Sequence, residues 1–123
     1  MVEVDTIFRT NNLRLLLMVL SGISNTGDSF PMAFSFVPSE SKVCFDFIFE
    51  SLKELAWEEY PPPTVIIGDQ AKGLAASLPH SIPSLTPQYC EWHAAENIRK
   101  HLIDHSYAKD KINSMKPLIW GYL

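Results

Sequence analysis

The chain predicts an α/β protein: a mixed five-stranded sheet, made as an antiparallel meander followed by βα units, with helices flanking it. Three observations carry this. Three β-rich stretches come first, separated by turn-forming Asn and Gly residues, and one long amphipathic helical pattern follows them. After Pro61-Pro62-Pro63, short strand patterns alternate with helical ones, which is the signature of βα units.

Val2-Glu3-Val4-Asp5-Thr6-Ile7-Phe8 is the first strand, with an acid in its middle, and the Asn11-Asn12 pair ends it. Leu13 to Ile23 reads as a long second strand. Asn25-Thr26-Gly27-Asp28 then has hairpin chemistry, so Phe30 to Val37 is its antiparallel partner. Pro38-Ser39-Glu40-Ser41 reads as a helix start, with hydroxyls available as caps and an acid suited to the helix dipole. Phe45, Ile48, Phe49, Leu52, Leu55 and Ala56 follow at helical spacing and predict one broad apolar face against the sheet.

The triple proline ends that helix, because proline lacks the N–H and biases its predecessor away from the α region. Thr64 to Asp69 reads as a buried strand, and a helix is expected from about Gln70 to Leu78. A connection through Pro79, Pro83 and Pro87 leads to a last strand near Gln88-Tyr89-Cys90. From Glu91 to about His105, helical spacing returns in Ala94, Ala95, Ile98, Leu102 and Ile103. The tail from Ser106 to Leu123 is amphipathic but interrupted by Pro117, so the expected organisation is a domain over 1–105 and the start of a truncated helical region over 106–123. Because crossovers between parallel strands are right-handed, the first strand lies next to the fourth. That is the order of a ribonuclease H-like fold.

Composition narrows the function classes. A chain of 123 residues suits one domain, and 46% hydrophobic with 20% charged residues argues against disorder. The net charge of −4 does not suggest an autonomous nucleic-acid binder, which is ordinarily basic. Residues 1–89 hold five Lys/Arg against ten Asp/Glu, whereas residues 90–123 hold five against four. The run Leu15–Leu20 is too short to span a bilayer, which needs about 20 apolar residues, so no membrane partner is expected. The acidic start Met1-Val2-Glu3-Val4-Asp5 does not resemble an export signal. An intracellular protein with Cys44 and Cys90 reduced is the expectation.

Two constellations could carry chemistry. Asp69 at the tip of a buried strand reads equally as a cap of the following helix or as a ligand in the crevice where open α/β sheets bind. The predicted strand order sets it beside Asp5. Two neighbouring carboxylates repel, and Mg²⁺, a hard cation that prefers oxygen ligands and keeps several waters, would resolve the conflict. The plainer alternative makes Asp5 a surface residue and Asp69 a cap.

Cys90-Glu91-Trp92-His93 is a C-x-x-H where a strand hands over to a helix. It reads either as a buried thiol beside a hydrogen-bonded imidazole or as a functional motif. Adding His101 and His105 would complete the four ligands that a structural zinc needs. Yet His93 and His101 on one helix lie roughly 12 Å apart along its axis, so they cannot share an ion. Zinc is therefore disfavoured, and His101 and His105 are read as surface residues.

Taken together, Asp5-Thr6-Ile7-Phe8-Arg9-Thr10-Asn11, Phe30-Pro31-Met32-Ala33-Phe34 followed by Glu40, Val65-Ile66-Ile67-Gly68-Asp69, and Cys90-Glu91-Trp92-His93 with Asn97 resemble the catalytic domain of Mutator-like element (MULE) transposases. The far-red-impaired group of domesticated transposases is related to that family. The resemblance covers about residues 3–105 and implies a ribonuclease H-like fold whose Asp-Asp-Glu triad binds Mg²⁺ or Mn²⁺ for DNA cleavage and strand transfer. Asp5 matches the first acid and Asp69 the second, while Cys90 and His93 match the family's C-x-x-H.

The third acid is expected well beyond that motif and has no counterpart here. Glu91 and Glu96 are too close to the C-x-x-H to be taken for it. The resemblance further implies DNA, at transposon ends, as partner, leaves self-association open, and implies a nuclear location in a eukaryote. With no third carboxylate, little or no catalysis is expected of these 123 residues alone. A degenerate or domesticated remnant that keeps the fold as a binding or scaffold module is the alternative, and a zinc module on Cys90 and His93 is a third.

Overall fold

A computed structural model describes residues 1–105 and 109–121, without the side chains at 109, 116 and 118–121. Two compact units divide the chain, Met1–Gln88 and the part from Tyr89 onward. No helix among the described residues is long and apolar enough to cross a membrane.

The first unit holds a mixed sheet with flanking helices. Its strands are β1 (Val2–Ile7), β2 (Leu16–Ile23), β3 (Ser29–Val37), β4 (Val65–Gly68) and β5 (Thr86–Tyr89), in the order β3-β2-β1-β4-β5. β1 runs antiparallel to β2 and parallel to β4, and β2 runs antiparallel to β3, as the meander predicts. Near the β4–β5 join, the Thr86 N–H donates to the Thr64 carbonyl at 2.8 Å.

β2 begins later than the sequence suggests. The Asn11 side chain accepts from the N–H groups of Leu13 and Leu15 and donates to the Leu15 carbonyl, so it holds 11–15 as a turn. The next connection does behave as predicted. Ser24 and Asp28 close the hairpin through backbone and hydroxyl bonds, and Gly27 takes φ 90°, where a Cβ would be strained.

Helices α1 (Lys42–Leu52) and α2 (Lys72–Ser81) share one core with the sheet. Val2, Val4, Met18, Leu20, Val37 and Ile66 face Phe45, Ile48, Phe49 and Leu52 of α1 and Leu74 and Leu78 of α2. The predicted apolar stripe holds as far as Leu52 and then fails. Lys53–Trp57 is a π-helical turn, whose wider i→i+5 spacing changes the phase of the side chains. Leu55 consequently points to solvent, 84% exposed, and Trp57 packs on the core in its place.

The expected hydroxyl cap of α1 is also absent. Ser41 stands at the N-cap, but its Oγ donates to Cys44 Sγ at 3.3 Å, and that bond holds the thiol below its ordinary range. α2 begins two residues later than predicted and continues through Pro79 to Ser81. A proline costs its own N–H bond, but here Ser77, Leu78 and Ser81 on either side are buried and hold the last turn in place.

The second unit contains α3 (Glu91–Asp104) and α4 (Lys109–Gly121), which pack together. α4 runs on through Pro117, where the sequence predicts an interruption. Ala95 and Ile112 are its buried side chains among those described, whereas Ile98 and Ile103 of the predicted apolar face are nearly half exposed.

Candidate functional site

The parallel β1–β4 ladder pairs Val2 with Ile66, Glu3 with Ile67 and Val4 with Gly68. Asp5, still in β1, and Asp69, the first residue past the end of β4, come next, and neighbouring strands lie about 4.8 Å apart. The approach depends on Gly68: a Cβ there would meet Leu74 Cδ2 at 2.6 Å and Val4 Cγ1 at 3.0 Å.

Each carboxylate is held in the same local way. Asp5 Oδ1 accepts from the Thr6 N–H at 2.8 Å, and Asp69 Oδ1 accepts from the Gln70 N–H at 2.6 Å. Asp69 is therefore not a helix cap. α2 starts at Lys72 with Ala71 in the capping position, and no side chain caps it.

Asp5 is exposed and Asp69 half-buried, both reachable by a solute. Strand alternation puts Asp5 on the sheet face opposite the α1–α2 core, in a row with Val19 and Phe34. Carboxylate oxygens are the hard donors that Mg²⁺ and Mn²⁺ prefer, and Asp5 and Asp69 are the residues that could hold such an ion. Among the described residues, no group of three His, Cys, Asp or Glu comes together as a metal-binding set.

In the second unit, Cys90 precedes α3, accepts from the Ala94 N–H at 3.0 Å through its carbonyl, and is not in a disulfide. The His93 ring meets Trp92 edge-on, with centroids 4.9 Å apart. His101 and His105 are exposed and lie against each other at 4.1 Å. Both carboxylate oxygens of Glu96 accept from Arg99 Nε, at 2.9 and 2.7 Å, and Glu91 is exposed at the first position of α3.

Two features escaped sequence reading. The first is a polar contact between helices: Asp46 Oδ1 accepts from Ser77 Oγ at 2.6 Å and Ser81 Oγ at 3.1 Å, while Lys42 Nζ donates to Oδ2 at 2.6 Å. Lys42, then Ser77, holds the Asp46 carboxyl below its usual range. The second is a cleft of about 310 Å³ on the β1–β2 turn, lined by Phe8, Arg9, Asn11, Arg14 and Leu16. Asn11-Asn12 marked the turn, but nothing in the sequence marked the cleft.

A family model described as the MULE transposase domain matches residues 1–97, from β1 into α3 and across both aspartates and the C-x-x-H. The chain belongs to the MULE transposase domain family. Among curated proteins, this MULE domain is similar to Protein FAR1-RELATED SEQUENCE 5 of Arabidopsis thaliana, with 26% identity over 108 residues. That alignment covers 88% of this chain and 13% of the relative, so the MULE domain spans a small part of the relative's length.

Proposed function

We propose that this MULE domain is a ribonuclease H-like, DDE-type transposase domain in which Asp5 and Asp69 hold a divalent cation, Mg²⁺ or Mn²⁺, against a DNA phosphodiester. One observation carries the reading: both acids directly follow the last Val4–Gly68 pair of a parallel ladder, in a chain of this family. The sheet order β3-β2-β1-β4-β5, with β1 parallel to β4, supports the ribonuclease H-like part.

A bound cation would polarise the phosphodiester and lower the pKa of a coordinated water. The protein's part is to keep the two carboxylates adjacent and oriented, through the Thr6 and Gln70 N–H groups. Two acids suffice to position one ion. A two-ion clamp needs further ligands, so strand cleavage by these residues alone is expected to be weak or absent.

A second reading, a domesticated module that binds or scaffolds without cutting, is favoured by the acidic net charge of −4 and by the likeness to a FAR1-related protein. Calorimetric titration with Mg²⁺ separates the two. Binding that disappears in Asp69→Asn supports the first, and no Asp69-dependent binding supports the second. Robust Mn²⁺-dependent nicking of a supercoiled plasmid, abolished by Asp5→Asn, would overturn the expectation of weak cleavage.

A further inference from the structure

We infer that the β1–β2 turn is an anion site, built by Arg9 and Arg14, that takes a phosphate of a polynucleotide backbone. Arg9 and Arg14 have φ 61° and 58°, the left-handed region that side chains other than glycine rarely occupy, and they are the positive-φ non-glycine residues of the described chain. Strain of this kind persists where the surroundings over-determine it and gathers at binding sites. On the Arg14 side of the turn, Asn11 supplies the determination. Its carbonyl oxygen accepts from the Leu13 and Leu15 N–H groups, its amide donates to the Leu15 carbonyl and to Thr10 Oγ1, and its backbone carbonyl accepts from the Arg14 N–H.

The result is a cleft of about 310 Å³ with Phe8 and Leu16 among its lining and an arginine on each side of Asn11. Both arginines are exposed, and among the described residues neither guanidinium has an ion pair or hydrogen bond. Two unpaired guanidiniums at a fixed turn in an acidic protein fit an anion. Guanidinium's planar donor fork matches phosphate oxygens bidentately, as it does a carboxylate.

Position selects the source of that phosphate. Arg9 lies four residues beyond Asp5, so their Cα atoms are at most about 14 Å apart, and the turn leaves β1 at the end where parallel β4 reaches Asp69. An anion held there is a few nucleotides along the strand from a phosphodiester at Asp5 and Asp69. The choice of polynucleotide over free phosphate rests on the proposed function, whereas the anion site rests on the turn itself.

The test is fluorescence anisotropy of a labelled DNA duplex against this chain, in EDTA and over a series of KCl concentrations. EDTA removes any contribution from a cation at Asp5 and Asp69. The double variant Arg9→Gln/Arg14→Gln is expected to bind at least about tenfold more weakly and to lose about 2 from the slope of log K against log[salt], roughly 1 for each phosphate contact. Arg9→Gly/Arg14→Gly, which suits the left-handed backbone and so cannot fail through strain, is expected to behave alike, and the double lysine variant to keep the slope.

Unchanged affinity and slope in a folded double variant would overturn the site while leaving the DNA reading intact. A wild-type chain that binds no duplex would overturn the polynucleotide assignment together with the DNA reading. Displacement of the duplex by inorganic phosphate, where chloride of equal ionic strength does not displace it, would mean a free-phosphate site and overturn the polynucleotide assignment.

Discussion

Asp5 and Asp69 follow opposed residues of one parallel ladder, Val4 and Gly68, and each lends an oxygen to the N–H of the residue after it. Neighbouring strands thus present two carboxylates with the same local brace. The arrangement depends on residues remote from any chemistry, because β4 is held against β1 by the core beneath them and by the absence of a side chain at Gly68.

The core under the ladder has a clear centre. Phe49 is fully buried, and Phe49→Ala is expected to cost about 3–5 kcal/mol, read as a fall in the urea midpoint. Leu55→Ala, on the same predicted stripe but 84% exposed beyond the π-helical turn, is expected to change stability by less than about 0.5 kcal/mol. Equal losses at the two positions would contradict the change of phase.

Gly73 is fixed by a close approach. A Cβ there would collide with the Glu40 carbonyl oxygen and come within 2.9 Å of the Lys42 backbone nitrogen. Since backbone cannot swing aside as a side chain can, Gly73→Ala is expected to cost about 1–3 kcal/mol despite alanine's better helix propensity. Thermal or urea unfolding measures it.

Acid stability should report on Asp46. Its folded-state carboxyl sits below the ordinary value of 3.8, through Lys42 first and then Ser77, so the unfolded chain binds its proton more readily. The stabilisation is therefore complete above that ordinary value and is lost as pH falls through the lower, folded one. Asp46→Asn should flatten the dependence of the urea midpoint on pH in that window. With the carboxylate about a third exposed, added salt should shrink the difference.

The strained turn predicts an opposite sign for stability. Arg14→Gly removes a left-handed cost of roughly 1–2 kcal/mol and adds unfolded-state entropy of about 0.5–1 kcal/mol. A small net gain in the urea midpoint is expected. A clear loss would mean that the arginine stabilises the turn by contacts of its own.

Much of this architecture was legible because it is local. Alternation in Val2–Ile7, the Asn25–Asp28 hairpin and the spacing of Phe45, Ile48, Phe49 and Leu52 each encode their element within a few residues. Prolines misled where tertiary contacts outweighed a missing N–H, as at Pro79, and the π-helical turn left no mark in the apolar spacing. Asp69 is ambiguous in the sequence, since Asp is a good cap in principle and only Ala71 in the capping position removes that role. The Asp46–Ser77 bond joins residues 31 apart, and the left-handed backbone at Arg14 sits in a turn braced by Asn11. Neither is written in the identity of the residues concerned.

The pairing of Asp5 with Asp69 as cation ligands is tested most directly by adding Mn²⁺ to the isotopically labelled chain and following paramagnetic broadening of its backbone amides. The Thr6 and Gln70 N–H signals, which donate to the two carboxylates, are expected to broaden first and together, and Asp5→Asn or Asp69→Asn should abolish the effect at both. Broadening elsewhere, or broadening at these amides that survives both substitutions, would contradict a shared site.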